Sequence, residues 1–444
     1  MRELFFLWKK FIFSTFGSVV LLTVSGVMGF NAGRPACAEP LRVDLARACE
    51  LALGNDNGIK AAESDVAKAN EERRQAHRSR GVTLKIEHNS VRVHYQNEND
   101  IDVNSFQNTI SATYPLYTGG LIESSIAASE HELRSTLLSL ERTRQNVRLS
   151  VANAFYTMLR TEDMAKLAGD AVKRLEEHVR NVSAQHRNGK VSKADLLRSE
   201  VELINARQQM SQAEKEHSVA IKTLNNAMGI SIDTELSYNG KMVHVPFGRT
   251  LEECLEYALS RHPNLGIAKT LEAKAKAGIA AAKSEKKPTV SLAVSQALLS
   301  TQNWPGIDDD NFQIALHGEY TFSDAGVVSA KIRSAKEDLK KAGYNSESAR
   351  DSIVLDVTRC FIDVEEAGRR IETGLDALDK AQETYRISLA RYREGVGTNI
   401  DVLDAQTALN QANSNYTQAL CDYNIALARI ENAMGVPVAE NMNR

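Results

Sequence analysis

Residues Phe312 to Phe322 read FQIALHGEYTF. Every second position, Phe312, Ile314, Leu316, Gly318, Tyr320 and Phe322, is apolar or small. The positions between them, Gln313, Ala315, His317, Glu319 and Thr321, are mostly polar. Period two sustained over roughly ten residues marks a membrane-barrel strand, with one face in lipid and the other in water. His317 then falls on the water side, where solvation is its default state. Just upstream, Val290, Leu292 and Val294 alternate with Ser291, Ala293 and Ser295. Far earlier, Phe106, Ile110, Ala112, Tyr114 and Leu116 keep one phase. Val82, Leu84 and Ile86 shift phase to Val91, Val93 and Tyr95, which predicts a bulge near Asn89. The chain thus offers four strands in two hairpins, about 82–117 and 288–323. Their polar tips lie near 96–104 and 301–311, and one carries Trp304.

Four strands cannot stand alone in a bilayer. Each unpaired backbone group in lipid costs several kcal/mol, so no open sheet edge is tolerated. Single-chain barrels begin at about eight strands. The chain must therefore pool strands with its own copies, two giving eight and three giving twelve.

The hairpins belong to a larger repetition. Adding 206 to a residue number in the first half finds its counterpart in the second. Leu45 answers to Leu251, Ala52 to Ala258, Phe106 to Phe312, Tyr114 to Tyr320, Gly120 to Gly326, Val151 to Val357 and Phe155 to Phe361. Asn226-Ala227-Met228-Gly229 returns as Asn432-Ala433-Met434-Gly435. A constant offset over this length indicates tandem duplication. Each copy runs helix, strand, strand, long helix, turn, helix. The predicted helices cover 43–79, 121–188 and 193–228, then 249–285, 327–392 and 399–433. The prolines fall near element ends rather than inside the long runs.

The longest helices would reach about 100 Å at roughly 1.5 Å per residue, too long for one globular core. The last helix shows how they are accommodated. Val402, Ala405, Leu409, Ala412, Tyr416, Ala419, Tyr423, Ala426, Ile430 and Ala433 form an unbroken seam of threes and fours. Leu196, Leu203, Ala206, Met210, Ala213, His217, Ala220, Leu224 and Ala227 repeat it in the first copy. Leu403, Leu420 and Leu427 add a second stripe. Two seams on one helix predict neighbours on both flanks, as in a wall of helices; an antiparallel bundle is the simpler alternative.

The N-terminus reads as a secretory signal peptide, residues 1–38. Arg2, Lys9 and Lys10 precede the apolar run Phe11–Phe30, and Ala36-Cys37-Ala38 supplies a cleavage pattern. Without these residues the 54 Lys and Arg fall by four to 50, and the 57 Asp and Glu by one to 56. That balance offers no basic footprint for nucleic acid. Cys49, Cys254, Cys360 and Cys421 remain, without a Cys-x-x-Cys pair, and read as separate buried thiols. No His-Glu-x-x-His, Walker or Gly-x-Ser-x-Gly motif is present, so the sequence points to no enzyme, metal site or cofactor. His217, on a seam, reads as a packed residue rather than a ligand.

These features together resemble the TolC-type outer-membrane efflux proteins over nearly all of the mature length. The carriers are the duplicated plan, the strand exit Tyr114-Pro115-Leu116-Tyr117-Thr118-Gly119-Gly120, and two similar turns. The turns are RNGKVSKADLLRSE at Arg187–Glu200 and REGVGTNIDVLDAQ at Arg393–Gln406. The resemblance implies a mainly α fold, a long α-helical barrel continuous with a twelve-stranded β-barrel shared by a homotrimer. Its boundaries would be a first repeat at 39–229, a linker at 230–248, a second repeat at 249–435 and a tail at 436–444. It implies a passive channel-tunnel in the outer membrane of a Gram-negative bacterium, its helical part in the periplasm. There it would serve a tripartite efflux pump, as in multidrug resistance, or a type I secretion system. The implied partners are outer-membrane lipid, a periplasmic adaptor (membrane fusion) protein and an inner-membrane transporter of RND or ABC type. A periplasmic coiled-coil scaffold or adaptor protein is the competing reading.

In that family the turns lie at the periplasmic tip. The resemblance makes Asp401 and Asp404 the carboxylates lining the aperture, stacked rings in a trimer that favour cations. It makes Gly189, Ser192, Gly395 and Thr398 the turn residues that meet the adaptor, and Asp195 and Tyr392 the surviving gate contact. Gly397 and Ala194 stand where the family's other gate residues, an Arg and a Thr, are expected. The residues also admit a local account. Ser192-x-x-Asp195 and Thr398-x-x-Asp401 both fit a helix capping box, which explains Asp195 and Asp401 but not Asp404. Likewise, glycine suits any tight turn between helices.

Overall fold

The computed structural model describes residues 42–95, 101–300 and 309–438. The expected signal peptide, most of the two hairpin tips including Trp304, and the end of the tail lie outside the described residues.

The first copy comprises β1 (Arg42–Val43), α1 (Leu45–Asn55), α2 (Asn57–Arg78), β2 (Thr83–Tyr95), β3 (Ile101–Tyr117), α3 (Leu121–Arg187) and α4 (Lys193–Ala227). After β4 (Ser237–Tyr238) the second copy gives α5 (Leu251–Arg261), α6 (Pro263–Ser284), β5 (Thr289–Ser300), β6 (Asp309–Glu319), α7 (Val327–Arg393) and α8 (Asn399–Met434). Left-handed glycines recur at the same offset, Gly120 with Gly326, Gly189 with Gly395 and Gly229 with Gly435.

The helices expected over 43–79 and 249–285 are each broken in two. Asp56 has φ −59° and ψ 128°, and its counterpart His262 has φ −62° and ψ 126°. Both side chains cap the following helix, Asp56 accepting from the Ile59 amide (2.9 Å) and His262 Nδ1 from the Asn264 amide (3.1 Å). Pro263 enforces the second break, since it disfavours a helical residue before it. In the first copy the side-chain cap alone suffices. β4 likewise lies within the expected linker, pairing in parallel with β1 through Val43 and Tyr238.

The sheet runs β2-β3-β5-β6, antiparallel throughout. Paired residues share a face, so the register aligns the four patterns. Leu84 pairs with Ala112, Ala112 with Val294, and Val294 with Ile314; Tyr114 pairs with Leu292, and Leu292 with Leu316. The opposite face aligns Lys85, Ser111, Ser295 and Gln313. One apolar face results over the half of the sheet nearest the helices, as far as Ile86, Ile110 and Phe312; beyond it the same face carries His88 and Asn108. The bulge expected near Asn89 is not there: pairing is unbroken from Thr83–Thr113 to Tyr95–Ile101, so Val91 lies on the face opposite Leu84 and Ile86. The irregularity falls between Pro115 and Tyr117, where proline has no amide for the ladder. Pairing of β6 stops at Glu319, leaving Tyr320 and Phe322, 60% and 92% exposed, beyond the strand end.

The helices also lie side by side. α3 packs against α2 and α6 towards the sheet and against α4 and α8 further on; α7 flanks α6 and α8. Two equivalent cores hold the chain between these zones. Ala48, Ala52, Val151, Phe155, Ala220, Leu224 and Met228 bury one. Cys254, Ala258, Val357, Ala426, Ile430 and Met434 bury the other. The copies interlock where Gln145 Nε2 donates to the Gly435 carbonyl (3.1 Å) and Arg142 to the Asn432 carbonyl (2.9 Å). Cys254 and Cys421 are buried and Cys49 and Cys360 half-buried, all four as free thiols. Burial raises the Cys49 and Cys421 thiols to about 11. His217 is half-buried, its ring nitrogen 3.3 Å from Thr161 Oγ1.

Candidate functional site

The two long hairpins, α3–α4 and α7–α8, end in turns built alike. At the first, Gly189 (φ +70°) lets the chain reverse; its amide reaches the His186 carbonyl and the Lys190 amide the Gln185 carbonyl, both 2.9 Å. At the second, Gly395 (φ +77°) does the same, and the Val396 and Gly397 amides both reach the Arg391 carbonyl, 3.0 and 3.1 Å. A Cβ at Gly397 would stand 3.0 Å from the Tyr392 amide nitrogen. A side chain at this position would require the turn to give by a few tenths of an ångström.

Both following helices are capped, but not identically. Thr398 and Asp401 close a complete box: the Asp401 amide donates to Thr398 Oγ1 (3.2 Å) and the Thr398 amide to Asp401 Oδ2 (3.0 Å). The backbone bond from Thr398, then its side-chain bond, hold the Asp401 carboxyl below the usual carboxylate range. At Ser192 the box stays half-formed. The Asp195 amide donates to Ser192 Oγ (3.1 Å), while that hydroxyl donates to Asp195 Oδ2 (2.7 Å). Asp404, one turn beyond Asp401 on the same exposed face, has no hydrogen bond or ion pair with any described residue.

The expected contact between Asp195 and Tyr392 is not made. Tyr392 is 6% exposed, yet its hydroxyl has no hydrogen-bond partner. Burial, then the nearby Asp195 charge, raises its pKa. The Asp195 carboxylate is turned back to Ser192, and the Tyr392 ring lies 5.4 Å from that of His178.

What joins the turns instead is Asn399, a residue that sequence reasoning passed over. It is 4% exposed at the start of α8. Its Nδ2 donates to the main-chain carbonyl of Asp195 on α4 (3.1 Å). Its Oδ1 lies 2.7 Å from His178 Nε2 on α3 and 3.1 Å from Ser199 Oγ on α4. Ser199 Oγ also lies 3.0 Å from the Asp195 carbonyl. Burial pulls the His178 pKa below its ordinary value, against the hydrogen bond to Asn399. The signal was present: His178 interrupts the apolar spacing of Leu175 and Val182, a polar residue on a buried stripe.

The profile of the family described as Outer membrane efflux protein matches residues 48–230 and again 254–436. The chain belongs to that family. Its place is the outer membrane, and the duplication is the family's own, matched once per copy. Among curated relatives, the outer membrane efflux protein BepC of Brucella suis biovar 1 is 23% identical over 328 residues, 74% of this chain and 71% of BepC. The toluene efflux pump outer membrane protein TtgC of Pseudomonas putida is 25% identical over 296 residues, 62% of this chain and 58% of TtgC. Among solved structures, a crystal structure of CusC, from a study of folding and transmembrane channel formation, superposes with a TM-score of 0.79. It covers 91% of this chain and 95% of CusC at 17% identity, a likeness of fold. The long helices with a small strand portion are thus the fold of outer-membrane channels.

Proposed function

We propose that three copies of this efflux-family chain close into one passive channel-tunnel, which exports substrate across the periplasm and the outer membrane. It would work in a tripartite efflux pump or a type I secretion system, with a periplasmic adaptor and an inner-membrane transporter of RND or ABC type. In this reading residues 1–38 are the leader, 39–229 and 249–435 the two repeats, 230–248 the linker and 436–444 the tail. The channel performs no catalysis; its partners supply the energy.

The observation that carries this reading is the pair of open edges. Among the described residues β2 pairs only with β3 and β6 only with β5, while towards the helices one face of all four strands is apolar. Along β3 that face runs from Ile110 to Leu116, about 20 Å of strand at roughly 3.3 Å per residue. Tilted as barrel strands are, it covers about 15 Å of the roughly 25 Å apolar band of an outer membrane, on the side nearest the helices. Tyr114, Tyr117, Tyr320 and Phe322 at its helical end suit an aromatic girdle. Edges this apolar must be paired, and copies of the same chain offer the complementary edge.

At the far end, Asp401 and Asp404 would stack as two carboxylate rings in the aperture, and the exposed turns at Gly189–Ser192 and Gly395–Thr398 would meet the adaptor. The test is extraction and mass. Membranes washed with carbonate or urea retain the protein, and detergent-solubilised material has the mass of a trimer by light scattering. A monomer released by the wash would overturn the reading, and a periplasmic scaffold would take its place.

A further inference from the structure

The family's gate pairs are largely missing here, yet the turns are joined. We propose that Asn399 is the latch of the closed tip in this chain, and that His178 makes the latch release in acid. The inference rests on reading the paired turns as a gate. Spreading α7–α8 away from α3–α4 must break every bond that Asn399 makes, because its partners Asp195, Ser199 and His178 all lie on the other hairpin. An asparagine amide offers two donors and two acceptor sites. Here its oxygen, which faces His178 and shares the Ser199 hydroxyl with the Asp195 carbonyl, and one of its donors act across the hairpins.

The geometry sets the chemistry of His178. With Asn399 Oδ1 as the acceptor, the neutral ring carries its proton on Nε2. Nδ1 is then a bare lone pair, buried and without a partner. A second proton must go there. It would place a cation in a site 3% exposed, with no acceptor for the new N–H. The groups carried by the packed helices give little relief. On α3, Glu177 pairs with Arg393 of α7 at 3.3 Å. On α4, Asp195 accepts from Ser192; on α8, Asp401 is held in its own cap; the remaining face is the Tyr392 ring of α7.

The sign follows directly. In the closed tip His178 titrates below its ordinary value of 6.5; swung into water, it regains that value. The closed state is therefore fully favoured above the ordinary value and loses ground as pH falls beneath it, because only the open state takes up the proton readily.

The full-length assembly in planar bilayers tests this, with conductance read at about pH 7.5 and about pH 5. Wild type is expected to conduct several-fold more in acid. Asn399→Leu, which fills the space without bonding, should conduct at the high level at both pH values. His178→Gln keeps a donor towards Asn399 but cannot titrate, and should stay low at both. Hydrogen exchange of amides 188–198 and 394–402, corrected for intrinsic rates, gives a second readout independent of conduction. Acid should speed it in wild type and not in His178→Gln, which also decides the matter if Asn399→Leu fails to fold. The latch is overturned if His178→Gln keeps the wild-type acid response in exchange, or if a folded Asn399→Leu behaves as wild type. An assembly that never conducts, yet shows the exchange response, removes the duct and leaves the latch.

Discussion

Asp401 and Asp404 share residue type, helix face and exposure, and differ in what holds them. Asp401 is tied by its cap, and its carboxyl is lowered by the Thr398 amide and hydroxyl, so its charge persists further into acid than a free aspartate's. Asp404 spends no bond on the helix. Asp404→Asn should therefore weaken cation preference, measured as the reversal potential across a salt gradient, while leaving the melting temperature unchanged. Asp401→Asn should lower both, since an amide replaces the anion that suits a helix N-terminus. Equal melting of the two variants would mean that the cap is not what distinguishes them. The spacing Thr398-x-x-Asp401 was enough to predict that box. Ser192-x-x-Asp195 has the same spelling and closes only halfway, because the Ser192 hydroxyl donates to the carboxylate itself. A motif names the groups that can bond; rotamers choose between the alternatives. Asn399 was illegible for a related reason: its partners lie 204, 200 and 221 residues away, and local pattern carries no such distance.

At the scale of elements, α4 and α8 show how one sequence pattern is read by two surroundings. Their seams match under the duplication. In α8 every seam residue except Tyr416 is buried, because α3 and α7 flank it. In α4 only Ala206, Ala220 and Leu224 are buried, because α3 alone covers its length and α8 touches it only slightly. The seams were legible as periodicity, and the long helix ends came out within a residue because glycine turns and caps mark them. The breaks at Asp56 and His262 were missed, since apolar spacing continues across each. Where the surroundings are equivalent, so should be the energetics. Leu224 and Ile430 are both fully buried in corresponding cores. Truncation of either to Ala should destabilise by about 2–5 kcal/mol, the usual cost of a large core cavity. Thermal melts of the two variants are expected to shift alike. A shift confined to one would show that the cores, despite matching residues, do not share the load.

At the scale of the whole molecule, two helical flanks stay uncovered among the described residues, beside the two sheet edges. On α4, Leu197, Val201, Ile204 and Val219 are all at least half exposed, and the 3.6-residue period returns them to one stripe. On α7, Tyr344, Leu355, Ile362 and Ile387 fall on one stripe in the same way. Height along the wall is compatible with their meeting. Ile387 lies about 9 Å from its turn, between Leu197 and Val201 at about 6 and 12 Å from theirs; Ile362 and Val219 lie at about 46 and 39 Å. In a trimer each α4 stripe would face the α7 stripe of the next copy, so both must be desolvated on assembly. A carboxylate placed there without a partner resists that desolvation. Val201→Glu and Ile387→Glu should each shift detergent-solubilised protein from trimer towards monomer, read by light scattering, while circular dichroism keeps its helical signal. Leu355→Glu, about 57 Å above the turn and beyond the top of α4, should do so less. Val201→Glu that remained fully trimeric would mean that α4 meets something other than a neighbouring α7, and that the wall of helices closes by a different order.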